Sequence, residues 1–324
     1  MAVQIGSVAL PNPVMTASGT GGHGAELARY FDLASLGAVV VKSLSADPWP
    51  GNEAPRVHET RGGMLNAVGL QGPGVKVWLD DELPELLATG ARVVASIWGR
   101  SVDDYRRAAD LLADAPGEVV AVEVNLSCPN VESRAAMFAH SAESTEEAMA
   151  ATLGCGRPRW AKLSPNVTDL VAIAEAAQRG GAEAVTLVNT VMGMAIDPET
   201  RTYRLSKGGG GLSGPAIHPV AVRAVHDVHR ALPDLPIVGV GGVVDGDEAV
   251  ELMLAGANAI QVGTATFADP RAAARVLDGL TDWCGRHEVA RAATLTGGMI
   301  GQPPTKRDDV SGANPVPDPR QEQR

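Results

Sequence analysis

The residues most able to do chemistry in this 324-residue chain sit in "EVNLSCPN", residues 123 to 130, where a lone cysteine, Cys128, stands between Asn125 and Asn130 just past an apolar run. A free thiol titrates near pH 8.5, and a neighbouring cation brings the thiolate within reach of neutral pH, so Cys128 can serve as a base or as a nucleophile. A nucleophile would want an adjacent histidine. His23, His58, His218, His226, His229 and His287 fall in helices or remote loops, which leaves His140 as the one candidate visitor and makes a general base the simpler role. Cys155 and Cys284 read as small buried hydrophobes. Three cysteines with no C-x-x-C encode neither a disulfide framework nor an iron-sulfur or zinc site, and no His/Asp/Glu cluster has metal-ligand spacing.

Other polar residues recur at the ends of apolar runs. They are Ser18; Lys42 and Ser43; Ser96; Asn125; Lys162; Asn189 and Thr190; Gly241 and Gly242; and Gly263 and Thr264. Two lysines and several amides directed into one space are not core filling. The glycines after the seventh and eighth runs suit a phosphate held by backbone N–H groups. Asn66, Asn125, Asn130 and Asn189 each offer a donor pair and an acceptor, which complements the alternating C=O and N–H edge of an imide or pyrimidine ring.

The elements that must position these groups are eight short apolar runs, each followed by an Ala/Leu-rich stretch of helical periodicity: 13–17, 38–43, 92–98, 119–125, 159–164, 183–189, 236–242 and 258–264. Continuous rather than alternating hydrophobicity predicts parallel strands buried on both faces. Helix starts at "SPNVTD" and "VDGDE" and glycine stops at "RGGA" and "LAGA" punctuate the intervening helices. Eight units in about 290 residues predict an α/β fold, a single (β/α)8 TIM barrel, over a doubly wound sheet with a second domain. The long connections 43–74, 126–142 and 189–215 then lie at the C-terminal face, where barrel sites are built. The expected domain is 1–296, followed by a Pro/Gly-rich tail, 297–324, that reads as disordered.

"GTGGHG" at 19–24 satisfies G-x-G-x-x-G, but the next strand ends in Lys42 rather than a ribose-binding acid, so a tight turn approaching a ligand is the better reading. A formal charge of -11 disfavours nucleic acid and anionic lipid. No apolar run reaches the roughly 20 residues of a membrane span, and the first residues lack a signal-peptide pattern, so a cytoplasmic protein is expected.

The motifs "MTASGT", "VVVKS", "GGMLNAVGLQGPG", "VNLSCPNV", "KLSPNVTD", "LVNTVMG", "GGLSGPAI", "GVGGV" and "VGTA", in order from about residue 5 to 285, resemble the class 1 dihydroorotate dehydrogenases, the B-type most closely. The resemblance implies FMN-dependent oxidation of dihydroorotate to orotate in pyrimidine synthesis. Cys128 would remove a proton from C5 while hydride leaves C6 for flavin N5. Lys42, Asn66, Ala67, Val68, Gly69, Leu70, Asn125, Asn130, Asn189 and Thr190 would bind the substrate. Ala17, Ser18, Lys42, Ser43, Ser96, Asn125, Lys162, Val188, Ser213, Gly214, Gly241, Gly242, Gly263 and Thr264 would line the FMN, with Lys162 at its N1/O2 edge. It also implies a homodimer and a second subunit carrying FAD and an iron-sulfur cluster.

The chain departs from the family pattern at Ser133, Arg134 and Ala135, where a glycine pair is usual in the loop over the substrate, and at Ser96 and Gly72. The alternatives are a dihydropyrimidine dehydrogenase-like enzyme acting on uracil or thymine, a Schiff-base aldolase using Lys42 or Lys162, and a flavin-binding protein that has lost catalysis.

Overall fold

The computed structural model describes residues 1–127 and 141–301. Cys128, Asn130 and His140, the departures at 133–135, and residues 302–324 of the expected tail lie outside the described residues.

All eight predicted runs become strands of one parallel sheet: β1 (Val14–Thr16), β2 (Val39–Val40), β3 (Val93–Ile97), β4 (Val119–Asn125), β5 (Arg159–Lys162), β6 (Ala184–Leu187), β7 (Ile237–Val240) and β8 (Ala259–Val262). Their order is β1-β8-β7-β6-β5-β4-β3-β2, with every neighbouring pair parallel. A bridge between Met15 and Ala38 brings β1 against β2 and closes the ring. At this seam a side chain completes the ladder. The Thr16 hydroxyl donates to Val40 O at 3.2 Å and accepts from Val40 N–H at 2.9 Å, in a strand pair too short to satisfy those buried groups alone.

The helices α1 (Leu83–Ala88), α2 (Val102–Asp110), α3 (Ala142–Ala151), α4 (Leu170–Arg179), α5 (His218–Ala231), α6 (Gly246–Ala255), α7 (Ala265–Ala268) and α8 (Ala272–Arg286) follow the later strands. The predicted starts are real caps: the Asp169 carboxylate accepts from Ala172 N–H, and that of Asp245 from Asp247 and Glu248 N–H. The first unit differs from expectation, because β1 is followed by the 3₁₀ turns Glu26–Arg29 and Leu33–Ser35 instead of an α-helix. Leu27, Leu33 and Leu36 are buried from these turns instead of from a helix face.

Two layers of apolar packing result. The larger lies between the barrel and its helices, and the smaller fills the barrel's N-terminal end with Met15, Val40, Val94, Trp160 and Val238. An antiparallel hairpin, Val3–Ile5 with Val8–Leu10, plugs that end. At the other end, the long connections 43–74 and 189–215 build a four-stranded antiparallel sheet in the order Val191–Met194, Gly209–Ser213, Gly63–Asn66, Val57–Thr60. The sequence did not announce this sheet, since its strands are short, glycine-rich and drawn from two distant connections.

Candidate active site

At the C-terminal end of the barrel, beneath that sheet, lies a cavity of about 630 Å³, within the range of small-molecule and cofactor sites. The fold brings together at its wall Ala17, Ser18, Lys42, Ser43, Asn66, Val68, Gly69, Leu70, Asn125, Lys162, Val188, Asn189, Thr190, Ser213, Gly214, Gly241, Gly242, Gly263 and Thr264. Two of the sequence-derived candidates are elsewhere. Ala67 is packed into a small apolar cluster with Leu65 and Leu205, and Ser96 is fully buried behind Ser43. Alternation explains Ala67, since its neighbours Asn66 and Val68 face the cavity and it faces the other way, whereas Ser96 points toward the cavity but is screened from it by Ser18 and Ser43.

Hydroxyls and amides in the wall form one connected network. Ser18, Ser43 and Ser96 lie within 2.9 to 3.2 Å of one another, and Asn125 Nδ2 donates to Ser43 Oγ at 3.0 Å. Asn125 Oδ1 accepts from Ser127 Oγ at 2.7 Å, and Asn189 Nδ2 donates to Ser127 Oγ at 2.5 Å. Asn189 Oδ1 in turn accepts from Thr190 N–H at 2.8 Å. Thr190 presses so close to the capping sheet that a Cβ on residue 211 would fall 1.9 Å from its hydroxyl, so glycine is required at Gly211. Asn66 Nδ2 donates to the carbonyl of that same Gly211 at 3.4 Å, linking the amide from the first long connection to the one from β6.

The β7 and β8 ends supply backbone. Gly242 has φ +73°, and a Cβ there would meet His218 Cβ at 2.7 Å, so a side chain is excluded twice over. His218 fixes this turn through Nδ1, 2.9 Å from Gly241 O. The N–H groups of Gly242, Gly263 and Thr264 donate to no acceptor among the described residues, which leaves a small cradle of free donors facing the cavity. The G-x-G-x-x-G turn is not such a cradle. The Glu26 carboxylate accepts from His23 and Gly24 N–H at 3.2 and 2.8 Å and occupies the turn itself.

The two lysines differ. Lys162 is almost fully buried; its Nζ donates to Gln261 Oε1 at 3.2 Å and lies 3.8 Å from Glu123 Oε1. Glu123 Oε2 accepts from Gln261 Nε2 at 2.6 Å and from Thr186 Oγ1 at 3.0 Å. Lys42 has no such partner among the described residues, and burial, followed by the field of Arg56, holds its ammonium below the ordinary lysine value. Beside it, His23 is pushed down to about 4, first by burial and then by Lys42. His23 is therefore neutral at pH 7, and its 3.8 Å approach to Glu82 is a dipolar contact rather than an ion pair.

Residues outside the sequence-derived set complete the site. Ser127 joins Asn125 to Asn189, while Asn166 donates to Thr190 O at 2.9 Å and accepts from Met192 N–H at 2.9 Å. Glu123, Thr186 and Gln261 lie one layer deeper. A signal for them existed: Glu123 in "VVAVEVN" and Gln261 in "NAIQVGT" are polar residues inside runs that must be buried on both faces. A second, wider depression of about 820 Å³ adjoins the cavity and shares Gly19, Thr20, Lys42 and Phe267 with it. The free amide donors and both lysines place the chemistry in the smaller space.

The family model described as dihydroorotate dehydrogenase matches residues 1–283. The chain belongs to the dihydroorotate dehydrogenase family. It is 46% identical over 290 residues to the dihydroorotate dehydrogenase B (NAD(+)) catalytic subunit of Alkaliphilus oremlandii, covering 89% of this chain and 95% of that protein. It is 45% identical over 300 residues to the protein of the same name from Alkaliphilus metalliredigens, covering 92% and 98%. Among solved structures, the dihydroorotate dehydrogenase of Eimeria tenella in complex with ferulenol superposes with a TM-score of 0.75 at 20% identity, over 92% of this chain and 88% of that one. That likeness is one of fold: the same barrel.

Proposed function

We propose that this chain is the FMN-carrying catalytic subunit of a B-type dihydroorotate dehydrogenase, oxidising dihydroorotate to orotate in the cytoplasm as a step of pyrimidine synthesis. The observation that carries the reading is the meeting of Asn66, Asn125, Asn189 and Thr190 in one cavity with Lys42, a cation that has no acidic partner among the described residues. The amides match the imide edge of the ring, and a desolvated ammonium with no carboxylate beside it among the described residues favours a substrate that brings its own. Among the described residues, no helix is long and apolar enough to cross a membrane.

The wall fits FMN. Gly242, Gly263 and Thr264 would offer N–H donors to its phosphate, and Ser43 and Lys162 would hold its ring. When bound, FMN supplies a hydride acceptor at N5. The protein's part is to hold dihydroorotate so that C6–H points at that acceptor while a base takes the C5 proton, with the C5–H electrons becoming the new C=C bond. We assign the base to Cys128, which in the sequence stands three residues past Asn125, the last residue of β4. Asn130 joins the amide set on the same ground. The printed name of the relatives, a catalytic subunit, supports a partner that takes the electrons onward to NAD; the family likeness supports pairing of two barrels.

Anaerobic titration of the purified protein with dihydroorotate, followed by the flavin absorbance, tests this reading. Bleaching is expected, and Cys128→Ala should retain FMN but bleach about 10²- to 10⁴-fold more slowly. A yellow protein bleached by dihydrouracil and not by dihydroorotate would move the substrate to the uracil class. A colourless protein that cannot be reconstituted with FMN would end the flavin reading.

A further inference from the structure

A carboxylate at the centre of a barrel is costly. Removing a charge from water costs several kcal/mol, and the layer below fills its space with apolar side chains, among them Trp160, Ala184 and Ala259. Glu123 is nevertheless fully buried on β4. Its Oε2 takes both hydrogen bonds, from Gln261 and Thr186, whereas its Oε1 accepts none among the described residues and has of them only the Lys162 ammonium, 3.8 Å away, to stabilise its charge.

Gln261 joins the pair. A side-chain amide has one acceptor and two donors, and here the acceptor is spent on Lys162 and a donor on Glu123, so neither contact survives an amide flip. An ammonium has three N–H donors. Lys162 gives one to Gln261, and its distance from Glu123 is too long for a hydrogen bond, so the rest remain for whatever occupies the cavity it lines. The carboxylate thus compensates the charge of the lysine without consuming the donors that a ligand needs.

We propose that Glu123 is a positioning residue for the flavin chemistry: acting with Gln261, it keeps Lys162 charged and directed at the pyrimidine edge of the bound flavin. This inference rests on the FMN reading given above. The charged groups facing Lys162 from the packed strands are Glu123 on β4 and, across the cavity wall, Lys42 after β2, with Lys207 on the connection above; Thr186 of β6 and Gln261 of β8 are neutral. Glu123→Gln keeps the size and leaves one oxygen to accept from Gln261 and Thr186, but removes the only negative charge that the described residues place in this set. The lysine, still desolvated, then gives up its proton more readily.

Sulfite reads the lysine's charge directly in the FMN-loaded protein. Its lone pair forms a bond to flavin N5, and the displaced electrons place negative charge on the N1/O2 edge, where a cation stabilises the adduct. Wild type should bind sulfite with the affinity of a site holding a fixed cation. Glu123→Gln should bind about tenfold or more weakly at pH around 8.5 and approach wild type near pH 6, because low pH restores the ammonium. Lys162→Met should bind weakly at both values, and adding Glu123→Gln to it should cost nothing more. Gln261→Met, which cuts the link without removing the charge, should give a smaller loss with the same pH profile, and it carries the test if Glu123→Gln does not fold.

Sulfite affinity of both Glu123→Gln and Gln261→Met within about twofold of wild type across this range, or an equal loss when Lys162 is already absent, would overturn the proposal while leaving FMN binding intact. A wild-type protein that takes up no FMN would overturn it together with the flavin reading.

Discussion

Lys162 and Lys42 are the same residue type in the wall of the same cavity, yet the fold treats them in opposite ways. Lys162 ends a barrel strand and is held by Gln261 with Glu123 at 3.8 Å, so its charge is compensated before any ligand arrives. Lys42 follows β2 with no acidic partner among the described residues and sits near Arg56, so its charge is held at a cost. The difference teaches which cation belongs to the scaffold and which waits for an anion. Lys162 has its counter-charge within the protein, whereas a lone, desolvated lysine carries an uncompensated cost that a bound carboxylate offsets.

The comparison breaks most visibly at Lys162. Lys162→Met leaves Glu123 buried and unpaired, and denaturant unfolding should show a loss of about 3–5 kcal/mol, recovered in large part by Lys162→Met with Glu123→Gln. Lys42→Met should do the reverse. Stability should stay within about 0.5 kcal/mol of wild type or rise, while affinity for orotate falls about 10- to 100-fold, the worth of a hydrogen bond to a charged group. Equal stability losses for the two methionine variants would erase the distinction.

The seam gives a structural control away from both lysines. Thr16→Val keeps the shape of the side chain but strands the buried N–H and C=O of Val40, and should cost about 1–3 kcal/mol without changing the flavin spectrum.

An effect confined to acid pH is expected at His23, beside Lys42. Its value in the folded protein, about 4, lies below the ordinary 6.5, so the unfolded chain binds the proton first. Stability from this group is complete above about pH 6.5 and falls as the pH drops toward 4. His23→Gln should flatten that part of the stability-pH curve, and an unchanged slope would mean that His23 is not held neutral.

What could be read in the chain itself follows from local rules. The eight barrel strands were legible because parallel strands buried on both faces must be continuously apolar, and the helix starts at Asp169 and Asp245 because a carboxylate is needed where N–H groups lack partners. The strand-end inventory was legible for the same reason: a barrel directs every strand end to one face, so Lys42, Asn125, Lys162 and Asn189 had to converge. The first unit was misread as helical since periodicity records which residues are buried, and the 3₁₀ turns bury Leu27 and Leu33 equally well.

Only the tertiary structure decided the rest. Pairing of Gly63–Asn66 with Gly209–Ser213 joins segments nearly 150 residues apart, and nothing local records that register. Ala67 lies between two wall residues in sequence but behind the wall in space, because one step along an extended segment reverses the side chain, and Ser96 is covered by the Ser18 and Ser43 hydroxyls that reach it from other strands. Whether a lysine is neutralised or left bare depends on what the neighbouring strands carry at the same height of the barrel. Composition sets how many charges the chain has; closure of the sheet decides which of them meet.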